Sequence, residues 1–550
     1  MDVTSTQEHQ AGLLDLPEEL LLAICERLDN PTVFIFALVC RKLHQTCLPL
    51  CFKRFEIRNP EKHLKISLGE DPYTLDVISI LNIAFHVKAI DRVTCRFVIP
   101  GHDISVIFPS IRRLEHLVRR LESVRAITLK FGSDHCCCCK NPSSFKDSWL
   151  EDWSMKMGGL MGAILDKSVE SVTLKGGRYL SHLFVFRHRK GGHSTKTPTA
   201  LESLKMILTG RKERKTLKDV ESEPMKEPLS IFKGEHWEFK RANSLTDGTG
   251  NDLFPQMRPE TGRSWRLRSL NIQSMMFLMP PLLQWTVSTL QYSRIRRLTL
   301  NNLSINQKCW PAIFQLISSA APGLSELALL KLRQILPKDL LSFLSQLPRL
   351  TFLSLGRDVD SWDSYELGPF PDFPKLITLH APAVWVFKLF STQTRGLECL
   401  ESLSISYKLR NDGLNHWLQP SPTPSIPSLL HAQRRPLTLS VEVALGTSPG
   451  WKMFEDLKLG EDHPDVQMIT GMVLSVDQEF TKEDIRLWTV LPKWLSMFTA
   501  LRHLSLTGHN RFIDEEDTLG AMAEVVRATP LQLVTLDING KEGALNQPAA

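Results

Sequence analysis

The chain has 550 residues, of which 42% are hydrophobic and 23% charged, which excludes the low-hydrophobicity, high-charge regime of disorder. Its length exceeds what one compact core organises, so several domains or one elongated repeat array are expected. The 66 Lys and Arg against 60 Asp and Glu leave a net charge of only +6, too small a surplus over so long a chain to be a nucleic-acid footprint, and nucleic acid is not an expected partner.

Residues 1–12, MDVTSTQEHQAG, are polar and slightly acidic and read as a disordered tail, without the basic stretch and apolar run of a secretory signal. The longest apolar run nearby, Val33 to Cys40, is far shorter than the roughly 20 residues that cross a bilayer. The expectation is a soluble protein of the cytoplasm, the nucleus or both, with no membrane partner. Among 11 cysteines, Cys40, Cys95 and Cys399 sit in apolar segments and read as small core residues of a reducing compartment. The run Cys136 to Cys139, preceded by His135, is different. Adjacent cysteines cannot all turn toward one ion, whereas zinc sites draw on paired ligands from two places. A loop without metal is expected there.

The first structured signal is Leu16-Pro17-Glu18-Glu19, a helix start with Pro at the first position and acidic residues at the positive end of the dipole. Leu20, Leu21, Ile24 and Leu28 then repeat at helical spacing as one apolar face, and Asp29-Asn30-Pro31 ends the helix. A second helix is predicted after Thr32, running to about Cys47 ahead of Pro49. It opens with eight consecutive apolar residues, Val33 to Cys40, covering every side of its first two turns. A helix apolar all round must be buried all round, by the following domain or by a separate protein.

The segment LPEELLLAICERLDNPTVFIFALVCRKLHQTCLPLCFKRFEI resembles the F-box family in its Leu-Pro-x-Glu start, Leu-x-x-Ile helix, break near Asp-Pro and Val-Cys-Arg segment. The likeness covers residues 13–57, and the closing Leu-Pro-Leu with its aromatic and basic stretch is similar to F-box proteins of mushroom-forming fungi. The resemblance implies a helical module that docks on the Skp-type adaptor of a cullin-RING ubiquitin ligase. Leu16, Pro17, Leu20, Ile24, Leu28, Val39 and Cys40 would be the adaptor-binding residues. Leu43 stands where many members carry Trp, an exchange expected to weaken the dock without abolishing it. A helical hairpin that merely caps the next domain is the plainer alternative.

Beyond a linking segment at 58–120, the pattern L-x-x-L-x-L recurs, first at Val124-Ile127-Leu129, Val169-Val172-Leu174 and Leu201-Leu204-Met206. From Leu267 the starts fall at 267, 295, 324, 350, 376 and 400, in steps of 28, 29, 26, 26 and 24, within the roughly 20 to 29 residues of a leucine-rich repeat. The pattern returns at Leu501-Leu504-Leu506 and Leu533-Leu536-Ile538, leaving 407–500 undefined. Between strands, Pro337-Lys338-Asp339 introduces an amphipathic helix of Leu340, Leu341, Phe343, Leu344 and Leu347. The predicted fold class is an α/β repeat: an N-terminal helical F-box followed by an irregular leucine-rich-repeat solenoid over 121–545. It is irregular because Leu303 and Asp358 replace the Asn that usually follows the strand. A non-repetitive α/β domain with parallel strands is the alternative. Residues 209–263, rich in Lys, Glu, Gly and Pro, read as a disordered insertion, and 419–427 as a proline-rich loop. The basic clusters Arg187 to Lys190 and Arg211 to Lys215 read as solvated loop charge.

No phosphate-binding loop, nucleophile elbow or zinc-protease helix is present in the sequence. A non-enzymatic protein without cofactor is expected: the substrate-recognition subunit of a Skp-cullin-F-box ubiquitin ligase, its target unknown. The alternative is a repeat scaffold or chromatin-associated binder with no ligase attached. On strands whose leucines point inward, the intervening residues line the opposite face. Arg297, Glu326, Phe352 and His380 are the target-binding candidates there, Phe352 either as the aromatic anchor or as a side chain packed against an insertion or the irregular C-terminal part of the array.

Overall fold

The computed structural model describes residues 12–68, 77–98, 104–132, 147–177, 184–188, 237–241, 265–279, 282–356, 370–392, 397–408, 438–445, 469–476, 495–496, 498–508, 535–538 and 541–544. The chain divides into two compact units that exchange near residues 295 and 320.

The first unit begins with three helices, α1 (Glu18–Arg27), α2 (Asn30–Val39) and α3 (Arg41–Arg54). The single second helix expected to stop ahead of Pro49 is therefore two. Cys40, extended at φ −155°, ends α2 and starts α3, and Pro49 lies inside α3 on an exposed side. Strands β1 (His63–Leu68), β2 (Ala89–Phe97), β3 (Ser123–Phe131) and β4 (Ser171–Gly176) follow. Helices α4 (Val77–Ile83), α5 (Phe108–Arg120) and α6 (Asp147–Asp166) connect them, as parallel strands require. All four strands pair in parallel and in order, and β4 pairs next with β7 (Ser269–Gln273).

The predicted strand at Leu201-Leu204-Met206 lies outside the described residues. Of the segment 209–263, the described part is β6 (Trp237–Arg241), which pairs antiparallel with β5 (Phe184–His188). Arg187 and His188 thus belong to a strand, while Arg211 to Lys215, Cys136 to Cys139, Asp358 and 419–427 lie outside the described residues.

Alternation builds the core. In β2 and β3 Val93, Cys95, Phe97, Ile127, Leu129 and Phe131 point inward, and helices α5 and α6 bury Ile111, Leu114, Leu117, Trp153, Met157 and Leu160 on them. Phe97 stacks on Phe131 at 5.0 Å between centroids, and Trp153 meets Phe131 edge-on at 6.3 Å, an arrangement that adds quadrupole attraction to the burial of apolar area. Helix α7 (Leu283–Tyr292) closes the unit.

In the second unit the strands β8 (Arg297–Asn301), β9 (Glu326–Leu330), β10 (Phe352–Leu355), β11 (Thr378–Pro382) and β12 (Ser402–Lys408) pair in parallel in chain order. Helices α8 (Trp310–Ala320), α9 (Pro337–Ser345) and α10 (Ala383–Thr392) lie between them in sequence. The ladder continues through β13 (Thr438–Leu445), β14 (Ile469–Val476), β15 (His503–Gly508) and β16 (Thr535–Ile538), and β17 (Lys541–Ala544) adds antiparallel. Each expected leucine from Leu298 to Leu403 is buried and its neighbours are half-buried or exposed. Phe314 stacks on Phe343 at 4.4 Å, joining α8 to α9. Leu303, in the place of the missing Asn, is fully buried. The residues following β8 and β9, Asn302 and Lys331, turn the chain with positive φ. Among the described residues no helix is long and apolar enough to cross a membrane.

Candidate functional site

The N-terminal module has a small interior of its own. Leu21 and Cys25 of α1, Val33 and Ala37 of α2, and Leu43, Cys47, Leu48, Leu50 and Cys51 of α3 are buried. The side chains of Cys25 and Cys47 meet at 3.3 Å between sulfurs, and burial, with Cys25 beside it, pushes the Cys47 thiol up to about 12. Both are packing groups of the module's interior. Leu43, where Trp was expected from the family pattern, faces this interior and not the outer surface.

Hydrogen bonds fix the helices at their ends, where backbone groups lack partners. Asp29 caps α2 by accepting from the Thr32 amide at 3.0 Å, and the Thr32 side-chain and backbone hydrogen bonds hold its carboxyl below the usual value. Arg54 closes the other end of α1. Its two terminal nitrogens donate to the carbonyl oxygens of Leu28 (2.8 Å), Cys25 (3.1 Å) and Glu26 (3.0 Å), and to Asn30 Oδ1 (3.0 Å). A cation at a helix C-terminus also complements the dipole. His44 Nδ1 donates to Ala37 O at 2.9 Å. Lys42 donates to the carbonyl oxygens of Leu14 and Leu16, 2.9 Å to the latter. This bond holds the 3-10 turn Leu13–Asp15 against the start of α3.

With the interior filled, much of the apolar surface is left outside. Leu13 (44%), Leu14 (46%), Leu20 (52%), Ile24 (38%), Ile35 (57%), Leu38 (56%) and Val39 (64%) remain exposed. The predicted single face of Leu20, Leu21, Ile24 and Leu28 is thus divided: Leu21 turns in, Leu20 and Ile24 turn out, and Leu28 is half-buried. Helix α2 is not buried all round either, because Val33 and Ala37 at four-residue spacing claim one side and leave Ile35, Leu38 and Val39 on the other. Of the seven predicted adaptor residues, Pro17, Leu20, Ile24 and Val39 are exposed, Leu16, Leu28 and Cys40 are half-buried, and none is in the interior. Leu13, Leu14, Ile35 and Leu38, not among the seven, are exposed as well. The signal for Ile35 and Leu38 was in the eight-residue apolar run, where one buried stripe accounts for only part of the side chains.

The second set of candidates lies on the second unit. Register places Arg297, Glu326, Phe352 and Thr378 side by side on β8 to β11, with His380 on the next row beside Ser354. Arg297 is exposed and Glu326, Phe352 and His380 are half-exposed. Arg297 pairs with Glu326, and the Phe352 and His380 rings meet edge-on at 5.2 Å. The four therefore form two contacting pairs on one face.

A cavity of about 590 Å3 in the first unit is lined by Asn82, Ser105, Phe108, Pro109, Arg112, Arg113, His116 and Lys156. Lys156 is already engaged, by Asp152 at 3.2 Å and by the Phe108 ring at 4.8 Å. Among the described residues no group of His, Cys, Asp and Glu could hold a metal ion. The cysteines also divide: Cys95 is buried as expected, Cys40 is partly exposed, and Cys399 faces solvent because it precedes, rather than joins, the inward run of β12.

Compared with known families, residues 13–55 match the F-box domain. No curated protein matches the chain. F-box domains bind Skp-type adaptors in cullin ligases, and the match supports a general role as an adaptor-binding subunit. The chain thus carries an F-box domain, made by the Leu13–Asp15 turn and α1 to α3, ahead of an α/β region with parallel strands.

Proposed function

We propose that the protein is the substrate-recognition subunit of a Skp-cullin-F-box ubiquitin ligase, docking on the adaptor through the exposed apolar side chains of α1 and α2. The observation that carries this reading is exposure: Leu20 and Ile24 of α1 and Ile35, Leu38 and Val39 of α2 stay in water on a module whose interior is already packed. So many exposed large apolar side chains on a small module point to an interaction site. Leu16, Pro17, Leu28 and Cys40 flank it as contacts of the same dock. The Leu43 departure acts on the module's interior and leaves the dock intact. The parallel strands are leucine-rich repeats of an irregular solenoid in this reading, supported by the steps of 24 to 29 residues between starts. A target binds on their polar face, with Phe352, Arg297, Glu326 and His380 as contacts. The chain performs no bond chemistry; it raises the effective concentration of a target lysine near a charged enzyme.

The test uses the full chain and a purified Skp-type adaptor. Burying one Leu or Ile contributes about 1.5 to 3 kcal/mol, so Leu20→Ala with Ile24→Ala should weaken binding by about tenfold or more with an unchanged melting temperature. Unaltered affinity in that double variant would remove the docking assignment.

A further inference from the structure

The solvent face of the first unit's sheet carries a row of like charges. Register places Ser67, Arg96, Lys130, Lys175 and Gln273 side by side on β1, β2, β3, β4 and β7. Arg96 and Lys130 are exposed and Lys175 is half-exposed. Neighbouring strands lie about 4.8 Å apart, so three cations occupy roughly 10 Å on adjacent strands. Among the described residues none of the three has an ion pair. Like charges directly opposite one another destabilise a sheet.

The other end of the same strands is neutralised. Arg92 and Arg125 pair with Asp91 at 3.5 and 3.3 Å, Arg125 reaches Glu170 at 3.9 Å, and Lys88 pairs with Glu122 at 3.1 Å. The row Ser67, Arg96, Lys130, Lys175 and Gln273 itself holds no acidic residue. Beside them, two residues back along each strand, runs the row Lys65, Thr94, Thr128, Thr173 and Asn271. Three hydroxyls and an amide there can bond a polypeptide backbone.

We propose that this row docks an extended acidic segment of a partner protein, laid across the strands with its carboxylates on Arg96, Lys130 and Lys175 and its backbone over the threonines. An extended chain turns alternate side chains the same way, so a run of five acidic residues presents three carboxylates to the row. A single-stranded nucleic acid fits less well. It needs aromatic side chains to stack on its bases, and the three rows that make this face, from His63, Arg92, Ala126, Ser171 and Ser269 to the cations, hold no Phe, Tyr or Trp. This site is independent of the adaptor dock.

Fluorescence anisotropy of the full-length protein with a labelled peptide of five consecutive Glu between Gly and Ser residues tests it. The Gln counterpart and a single-stranded oligonucleotide serve as comparison probes. The Glu peptide should bind in low salt and weaken as salt rises, while the Gln peptide should not bind. Lys130→Gln with Lys175→Gln should lower the affinity about tenfold, with a melting temperature equal to or above the parent's because repulsion is relieved. Adaptor binding should not change. The proposal fails if the parent does not bind the Glu peptide, if the double variant binds it equally well, or if the oligonucleotide binds more tightly through the same lysines.

Discussion

Single side chains at helix ends decide how the N-terminal module holds together. Arg54 serves three carbonyl oxygens and one amide oxygen at the junction of α1 and α2, and a cation–carbonyl hydrogen bond contributes about 1.5 to 3 kcal/mol net, less where water reaches it. Arg54→Met, which keeps the aliphatic stem, should therefore destabilise the protein by about 1 to 3 kcal/mol in chemical unfolding. Asp29 gives a pH-dependent counterpart. Its carboxyl is held low by Thr32, so its charged cap contributes above about pH 4 and is lost as pH falls through the lowered folded value. The stability difference between wild type and Asp29→Asn should then shrink in acid; a difference that grew on acidification would contradict the cap. Cysteine labelling tests the interior. With Cys47 raised to about 12 by burial, the native protein at neutral pH should leave Cys25, Cys47 and Cys51 unmodified while exposed Cys399 reacts.

At the scale of elements, alternation in the strands separates structural from surface positions. Leu353 is buried and Phe352 beside it is half-exposed. Leu353→Ala should cost about 2 to 5 kcal/mol, as emptied core sites do, and Phe352→Ala less than about 1 kcal/mol; the reverse order in urea unfolding would mean the register is wrong by one residue. This register was legible in the sequence from Leu298 to Ile405, because each strand shows its leucines at fixed spacing. It was not legible at β1, whose Leu64, Ile66 and Leu68 alternate without the preceding leucine. Nor was it at β13 and β14, where the ladder shifts between Leu439 and Ser440 and both Gly471 and Met472 are buried, so the period of two breaks. The helical break at Cys40 was missed for a related reason: eight apolar residues carry no period that could mark a boundary.

Over the whole chain, an F-box domain at 13–55 opens the first of two units, and in both units parallel strands are joined by helices. What the sequence hid is the division of the module's apolar residues between interior and surface, since it depends on how α3 packs against α1 and α2. That division is the centre of the functional account, and one measurement addresses it directly. Hydrogen–deuterium exchange of the full chain with and without a purified Skp-type adaptor should show new protection concentrated in the Leu13–Asp15 turn, α1 and α2. The backbone of β8 to β12 should be unchanged. Adaptor binding that left α1 and α2 unprotected, or that protected the strands instead, would contradict the assignment of Leu20, Ile24, Ile35, Leu38 and Val39 as the dock.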